Sequence, residues 1–173
     1  MKRQSGFTLI ELTIVLVLIS LFSALTLPLL TGLGQDGLEA SARRLTGTAK
    51  QLYNESALSG LEYRLIFNLD EGSFRAQKLE RRQEGAVTVV EAVDAGRPQQ
   101  LRGESRFGQI NIPGRGIFTS GEVTTTIHPS GWIEETVIHL ENEKRSLTLR
   151  VNPFTGSTEI YEGFREFQSA GSR

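Results

Sequence analysis

The apolar positions fall into three regimes along the chain. From Phe7 to Leu30 they are nearly continuous, and no charge occurs between Leu12 and Leu30. At a rise of ~1.5 Å per residue that stretch makes a helix of about 36 Å, enough to cross ~30 Å of hydrocarbon. From Leu38 to about Ser59 the spacing changes to steps of four and three: Leu38, Ala42, Leu45, Ala49, Leu52 and Ser56 form one narrow stripe. That period predicts an amphipathic helix laid on a sheet. Asp36 is placed to cap it, Gly60 to end it, and Glu39 precedes Arg43 in the favourable ion-pair order. After Gly60 the period becomes two. Tyr63, Leu65 and Phe67 alternate with Arg64, Ile66 and Asn68, and a turn at Asp70-Glu71-Gly72 leads into Phe74 to Leu79. Further strands are expected over Ala86–Val93, Gln109–Ile112, Glu122–Ile127, Trp132–Leu140, Ser146–Val151 and Thr158–Tyr161. Pro/Gly and Asn/Glu turn clusters separate them, which predicts an antiparallel sandwich or pair of sheets.

Between the two helical regimes stands Pro28, followed by Gly32, Gly34 and Gly37. Proline removes a helix donor, and each glycine costs up to ~1 kcal/mol of helix stability. The stretch 28–37 is therefore expected to be kinked or locally melted.

Composition divides this picture further. The 173 residues suit one domain, yet 38% hydrophobic content averages a wholly apolar segment with a polar, glycine-rich remainder. The net charge is −1, which argues against a chain-wide basic surface for nucleic acid. Arg81-Arg82 and Gly114-Arg115-Gly116 are the local basic candidates, and a solvated face is the expected role of both. Cysteine is absent, so disulfides, thiolate metal sites and a Cys nucleophile are excluded. His128 and His139 are the only histidines. His128-Pro129-Ser130-Gly131 reads as a turn, and Glu134 and Glu135, adjacent on one expected strand, point to opposite faces. Phosphate loops and the common hydrolase motifs are missing. Asp70 and Glu71 are too few for a calcium site of six to eight oxygens. An enzyme, a metal and a cofactor are therefore not expected.

The N-terminal segment carries the sharpest chemistry. Lys2 and Arg3 precede the apolar run, which places the N-terminus in the cytoplasm by the positive-inside rule. A cleavable secretory signal fits poorly, because Ser23-Ala24-Leu25 is a weak cleavage site and Glu11 interrupts the apolar core. A plain anchor explains the length, but a carboxylate at the bilayer centre costs ~2.5 kcal/mol or more.

The stretch Gly6-Phe7-Thr8-Leu9-Ile10-Glu11-Leu12, with its basic leader and apolar run, resembles the prepilin cleavage motif of type IV pilins and type II secretion pseudopilins. The resemblance implies that a prepilin peptidase cuts after Gly6 and N-methylates Phe7. It implies that residues 7–30 persist as a membrane anchor and later as the core of a filament. It assigns Glu11 to pairing with the terminal amine of a neighbouring subunit, although an intramolecular pair one helical turn away is also open to it. Two charges in an apolar interior demand such pairing.

A softer resemblance covers the C-terminal half. Ile127-His128-Pro129-Ser130-Gly131-Trp132, Val137-Ile138-His139-Leu140, and Leu147 through the Asn152-Pro153-Phe154-Thr155-Gly156 turn to Ile160 are similar to the H-type minor pseudopilins (GspH/FimT family). The expected fold is α+β: a long transmembrane helix, kinked near Pro28, continues into an amphipathic helix packed on an antiparallel head. The expected divisions are a leader at 1–6, the anchor at 7–30, a Gly-rich kink at 31–37, the second helix at 38–60, a periplasmic head at 61–163 and a flexible tail at 164–173. The resemblance implies a structural subunit at or near the pseudopilus tip that helps start assembly and export of folded proteins across the outer membrane. The implied location is the inner membrane, single-pass, with the head in the periplasm. The implied partners are the peptidase, other minor and major pseudopilins or pilins, the inner-membrane assembly platform and membrane lipid, with no nucleic acid expected. A minor type IV pilin, priming pili and taking part in DNA uptake, is the first alternative. A membrane-anchored periplasmic β domain unrelated to pilins is the second.

Overall fold

The computed structural model describes residues 9–32, 37–84 and 86–167, with the side chains of 25–32 and 87 left out. The chain divides into two compact units, Met1–Asp36 and Gly37–Arg173. The first contains α1, Leu9–Gly32. The second begins with α2, Gly37–Ser59. Among the described residues eleven strands follow: β1 Tyr63–Asn68, β2 Ser73–Glu84, β3 Val87–Asp94, β4 Gln99–Gln100, β5 Arg106–Ile112, β6 Gly116–Phe118, β7 Glu122–His128, β8 Trp132–Ile133, β9 Thr136–Glu141, β10 Ser146–Val151 and β11 Thr158–Glu162.

Helix α1 runs through Pro28 as far as Gly32, so the local melting expected from residue 28 does not occur over 28–32. The proline costs one donor, and the long apolar sequence on its N-terminal side keeps the helix going. Residues 33–36, with Gly34 and the Asp36 cap, lie outside the described residues. Among the described residues, no helix is long and apolar enough to cross a membrane.

The strands form two antiparallel sheets. The first has the order β3-β2-β1-β7-β8, with β4 also against β2; the second has the order β11-β10-β9-β5-β6. Leu65 and Phe67 of β1 face the interior beside Ala76 and Phe74 of β2, their register partners. Leu140 pairs with Leu147 and Ile138 with Leu149 to supply the inner face of the second sheet. Phe67 meets Phe107 of β5 edge-on, with ring centroids 5.8 Å apart, and so joins the two inner faces. Helix α2 contacts β1 and β7 of one sheet and β9, β10 and β11 of the other. Its whole predicted stripe is buried, from Leu38 to Ser56. Each large side chain removed from water there contributes roughly 1.5–3 kcal/mol. The helix ends at Gly60, whose φ of +71° lets its amide return to the Ser56 carbonyl at 3.0 Å.

The strand expected over Trp132–Leu140 is two strands. β8 belongs to the first sheet and β9 to the second, and Glu134-Glu135 is the step between them. The two carboxylates are therefore not neighbours on one strand, as the alternation suggested. β4 and β6 were not anticipated, because two or three residues are too few to show a period. The tail, expected to be flexible from 164 onward, makes ring contacts at Phe164 and Phe167, although residues 164–166 are exposed. Phe164 stacks on His139 at 4.2 Å, and Phe167 lies against Tyr161 and under the Arg150 guanidinium. Residues 168–173 lie outside the described residues.

Candidate functional site

Gly6 and Phe7, the expected cleavage and methylation residues, lie outside the described residues. Glu11 stands in the first turn of α1 with an exposed side chain, where a carboxylate complements the helix dipole. Pro28 is helical in its backbone. Around Glu11 the helix is apolar on every side. Leu9 is 82% exposed, and Ile10, Leu12, Ile14, Leu16, Val17, Ile19, Leu21 and Phe22 are exposed with it. An apolar surface on all sides is the mark of a helix that is covered in its working state, by lipid or by other helices. Two of its hydroxyls bond within the helix: Thr13 donates to the Ile10 carbonyl and Ser20 to that of Leu16, each at 2.8 Å. Such internal bonding suits a segment destined for apolar surroundings.

The head offers a second constellation, where α2 holds two loops. Tyr53 directs its hydroxyl at the Gly131 carbonyl, 2.9 Å away, and at the Phe154 carbonyl, 2.6 Å away. One phenolic proton serves both acceptors. Lys50, one turn earlier, donates to the Thr155 carbonyl at 2.5 Å. The amide of Ile133 reaches the Pro153 carbonyl at 2.9 Å and links the same two loops. Asn152 shapes its turn by accepting from the amides of Phe154 and Thr155 at 3.0 and 3.2 Å. Gly156 has φ +62°, and a Cβ there would fall 2.4 Å from Cγ of Tyr53. The Asn152–Gly156 turn was legible in the sequence; Lys50 and Tyr53 as its holders were not, because their acceptors are main-chain carbonyls.

The residues weighed for catalysis are not assembled. His128 of β7 lies against Trp132 at 4.9 Å. His139 of β9 is buried in the other sheet. The Thr148 hydroxyl donates to the Gly163 carbonyl at 2.7 Å and accepts the Arg165 amide at 3.0 Å. Its contact with His139 Nδ1, also 3.0 Å, then requires the proton to sit on that nitrogen. Burial holds the His139 imidazole below its ordinary pKa, against a smaller upward pull from Glu166 and Glu141. Glu134 takes Arg115 at 3.0 Å and the Thr126 amide at 3.3 Å, whereas Glu135 takes Arg150. Asp70 accepts the Gly121 amide at 3.0 Å, so it ties a turn rather than standing free in solvent. Among the described residues no group of three or more His, Cys, Asp or Glu side chains is placed to hold a metal ion.

Of the basic candidates, Arg115 is committed to Glu134 and to the Thr124 carbonyl. Arg81 and Arg82 lie exposed on β2. Arg75 grips Glu122 with two nitrogens, at 2.7 and 3.2 Å. That pairing raises the guanidinium pKa and lowers the carboxyl pKa.

Residues 1–27 match the family model described as the prokaryotic N-terminal methylation motif. No curated protein sequence matches the chain. Among solved structures, the fold is similar to that of the minor pseudopilin EpsH from the type 2 secretion system of Vibrio cholerae. One EpsH structure aligns with TM-score 0.56 and 11% identity, over 76% of this chain and all of that one. A second aligns with TM-score 0.53 and 10% identity, over 73% of this chain and 96% of that one. The chain thus joins an N-terminal methylation motif to a head with the fold of a minor pseudopilin.

Proposed function

We propose that the chain is a minor pseudopilin of a type II secretion system. In this reading it is a structural subunit at or near the pseudopilus tip that helps initiate assembly and the export of folded proteins across the outer membrane. The observation that carries the reading is the pairing of a methylation motif over residues 1–27 with a helix apolar on all sides and a head folded like EpsH. A helix of that kind requires cover, and membrane lipid followed by neighbouring helices in a filament supplies it. Cleavage after Gly6 removes the cations Lys2 and Arg3 and leaves an α-ammonium on Phe7. Glu11, four residues on, then pairs with the terminal amine of an adjacent subunit, since a buried charge without a partner is strongly disfavoured. Residues 7–30 act as the inner-membrane anchor, and the head stands in the periplasm. The partners in this reading are the prepilin peptidase, the other pseudopilins, the assembly platform and membrane lipid.

Deletion of the gene in its host, followed by complementation, tests the reading. The expected result is loss of extracellular export of folded proteins, restored by the wild-type chain. Intact export together with loss of surface pili would replace the reading with that of a minor type IV pilin.

A further inference from the structure

The β2–β3 hairpin is longer than the sheet that carries it. β1 pairs with β2 only as far as Tyr63 against Lys78, while β2 and β3 continue together from Gln77–Asp94 to Glu84–Val87. Beyond Glu80 the ribbon is exposed on both faces, with Val89 at 41% and Val90 at 56% exposure. A two-stranded ribbon without a covered face is marginally stable in water, and a third strand is the usual remedy. Among the described residues β2 is the only strand paired with β3, at whose other side no strand is placed. Terminal strands are commonly blunted by being short or by carrying lysine or proline. β8 and β6 are short, with two and three residues, and Arg97 and Pro98 stand beside β4. β3 is eight residues long and reads Val-Thr-Val-Val-Glu-Ala-Val-Asp, with no cation and no proline. Its only charges are Glu91 and Asp94. Glu91 lies directly opposite Glu80 of β2, on the face where the inner strand also carries Lys78 and Arg82, so Glu91 is the acid of that face that stands on the outer strand itself. Lys78 engages Glu80 and not Glu91. Arg81 and Arg82 belong to the inner strand, opposite Val90 and Val89.

From this geometry we propose that β3 receives an extended Lys- or Arg-bearing segment of a partner protein, which adds to the first sheet as a new terminal strand. Main-chain hydrogen bonds supply the affinity. Apolar residues of the incoming strand meet the exposed valines, and a cation meets Glu91. A second copy of β3 is a poor occupant, because its own Glu91 and Asp94 would be brought against the same acids.

The test uses the full-length chain in detergent micelles and a synthetic peptide of about nine residues alternating valine with lysine. Hydrogen exchange is expected to slow at alternate amides of β3 on adding the peptide. Binding should weaken about tenfold when glutamate replaces the peptide's lysines, or in the Glu91→Lys chain. A peptide N-methylated at every amide, which has no main-chain donor on either edge, should not bind, and that control needs no protein variant. Equal binding of the N-methylated peptide, protection elsewhere than β3, or no binding would overturn the proposal. So would self-association through β3 that the peptide does not reverse.

Discussion

The ring of Tyr53 occupies the space that a side chain at position 156 would need, with Cγ 2.4 Å from the Cβ position of Gly156. The same residue holds the carbonyls of Gly131 and Phe154, so one side chain of α2 sets the shape of two loops.

Gly156→Ala is therefore expected to destabilise the head by about 2–3 kcal/mol, adding a positive-φ penalty to an overpacked contact. Tyr53→Phe removes only the hydroxyl and should cost about 1 kcal/mol. Combining Gly156→Ala with Tyr53→Ala should cost less than the sum of the two single changes, because the smaller residue relieves the clash. Urea melts of wild type, Gly156→Ala, Tyr53→Ala and the double variant check this, and strict additivity would show that the ring is not the obstacle.

Glu134 is worth more than an ordinary surface carboxylate. It neutralises Arg115 and accepts the Thr126 amide at the step between the sheets. Glu134→Ala should cost about 1–2 kcal/mol, while Glu62→Ala, which breaks a pair with Arg64 in which the carboxylate is more exposed, should cost under ~1 kcal/mol. Paired thermal melts would contradict the assignment if the order were reversed.

Stability should fall on mild acidification through His139. Its imidazole is held neutral by burial, so its folded-state pKa lies below the unfolded value of about 6.5. Its contribution is complete above that value and is lost as pH falls through the folded pKa. His139→Gln keeps a side-chain amide near Thr148 but cannot titrate. The variant should show a shallower loss of melting temperature than wild type as pH falls below about 6.5. Parallel curves would assign the pH dependence to other groups.

Processing is read at the N-terminus. Mass spectrometry of the mature chain should find N-methylated Phe7, and an intact Met1 in mature protein would sink the pseudopilin reading. Gly6→Ala should slow removal of the leader, since the peptidase must approach the backbone closely there. Glu11→Ala should leave cleavage and membrane insertion unchanged yet cut incorporation into filaments steeply, in line with ~3–5 kcal/mol for an unpartnered buried charge. Normal incorporation of that variant would remove the role given to Glu11.

The parts of the fold visible in the sequence are those with a local period. Leu38, Ala42, Leu45, Ala49, Leu52 and Ser56 announce α2 because a helix repeats its inward face every three or four residues. Tyr63, Leu65 and Phe67 announce β1 for the corresponding reason at period two. The break at Glu134-Glu135 was hidden because the alternation runs through it, and a change of sheet is a non-local event with no composition of its own. The tail escaped notice because the ring contacts of Phe164 and Phe167 depend on His139, Tyr161 and Arg150, which pattern alone does not bring together. At the N-terminus the motif, not the period, held the information.

The start of α2 has a mechanical meaning. Gly37 lies so close to the backbone of Arg102 that a Cβ would fall 2.4 Å from its carbonyl oxygen, and Ser41 accepts the Arg102 amide at 2.8 Å. The helix then lies across strands of both sheets. A pull at Gly37 directed along α2 would therefore be resisted in shear, by the buried stripe of the helix and its tie to Arg102 together.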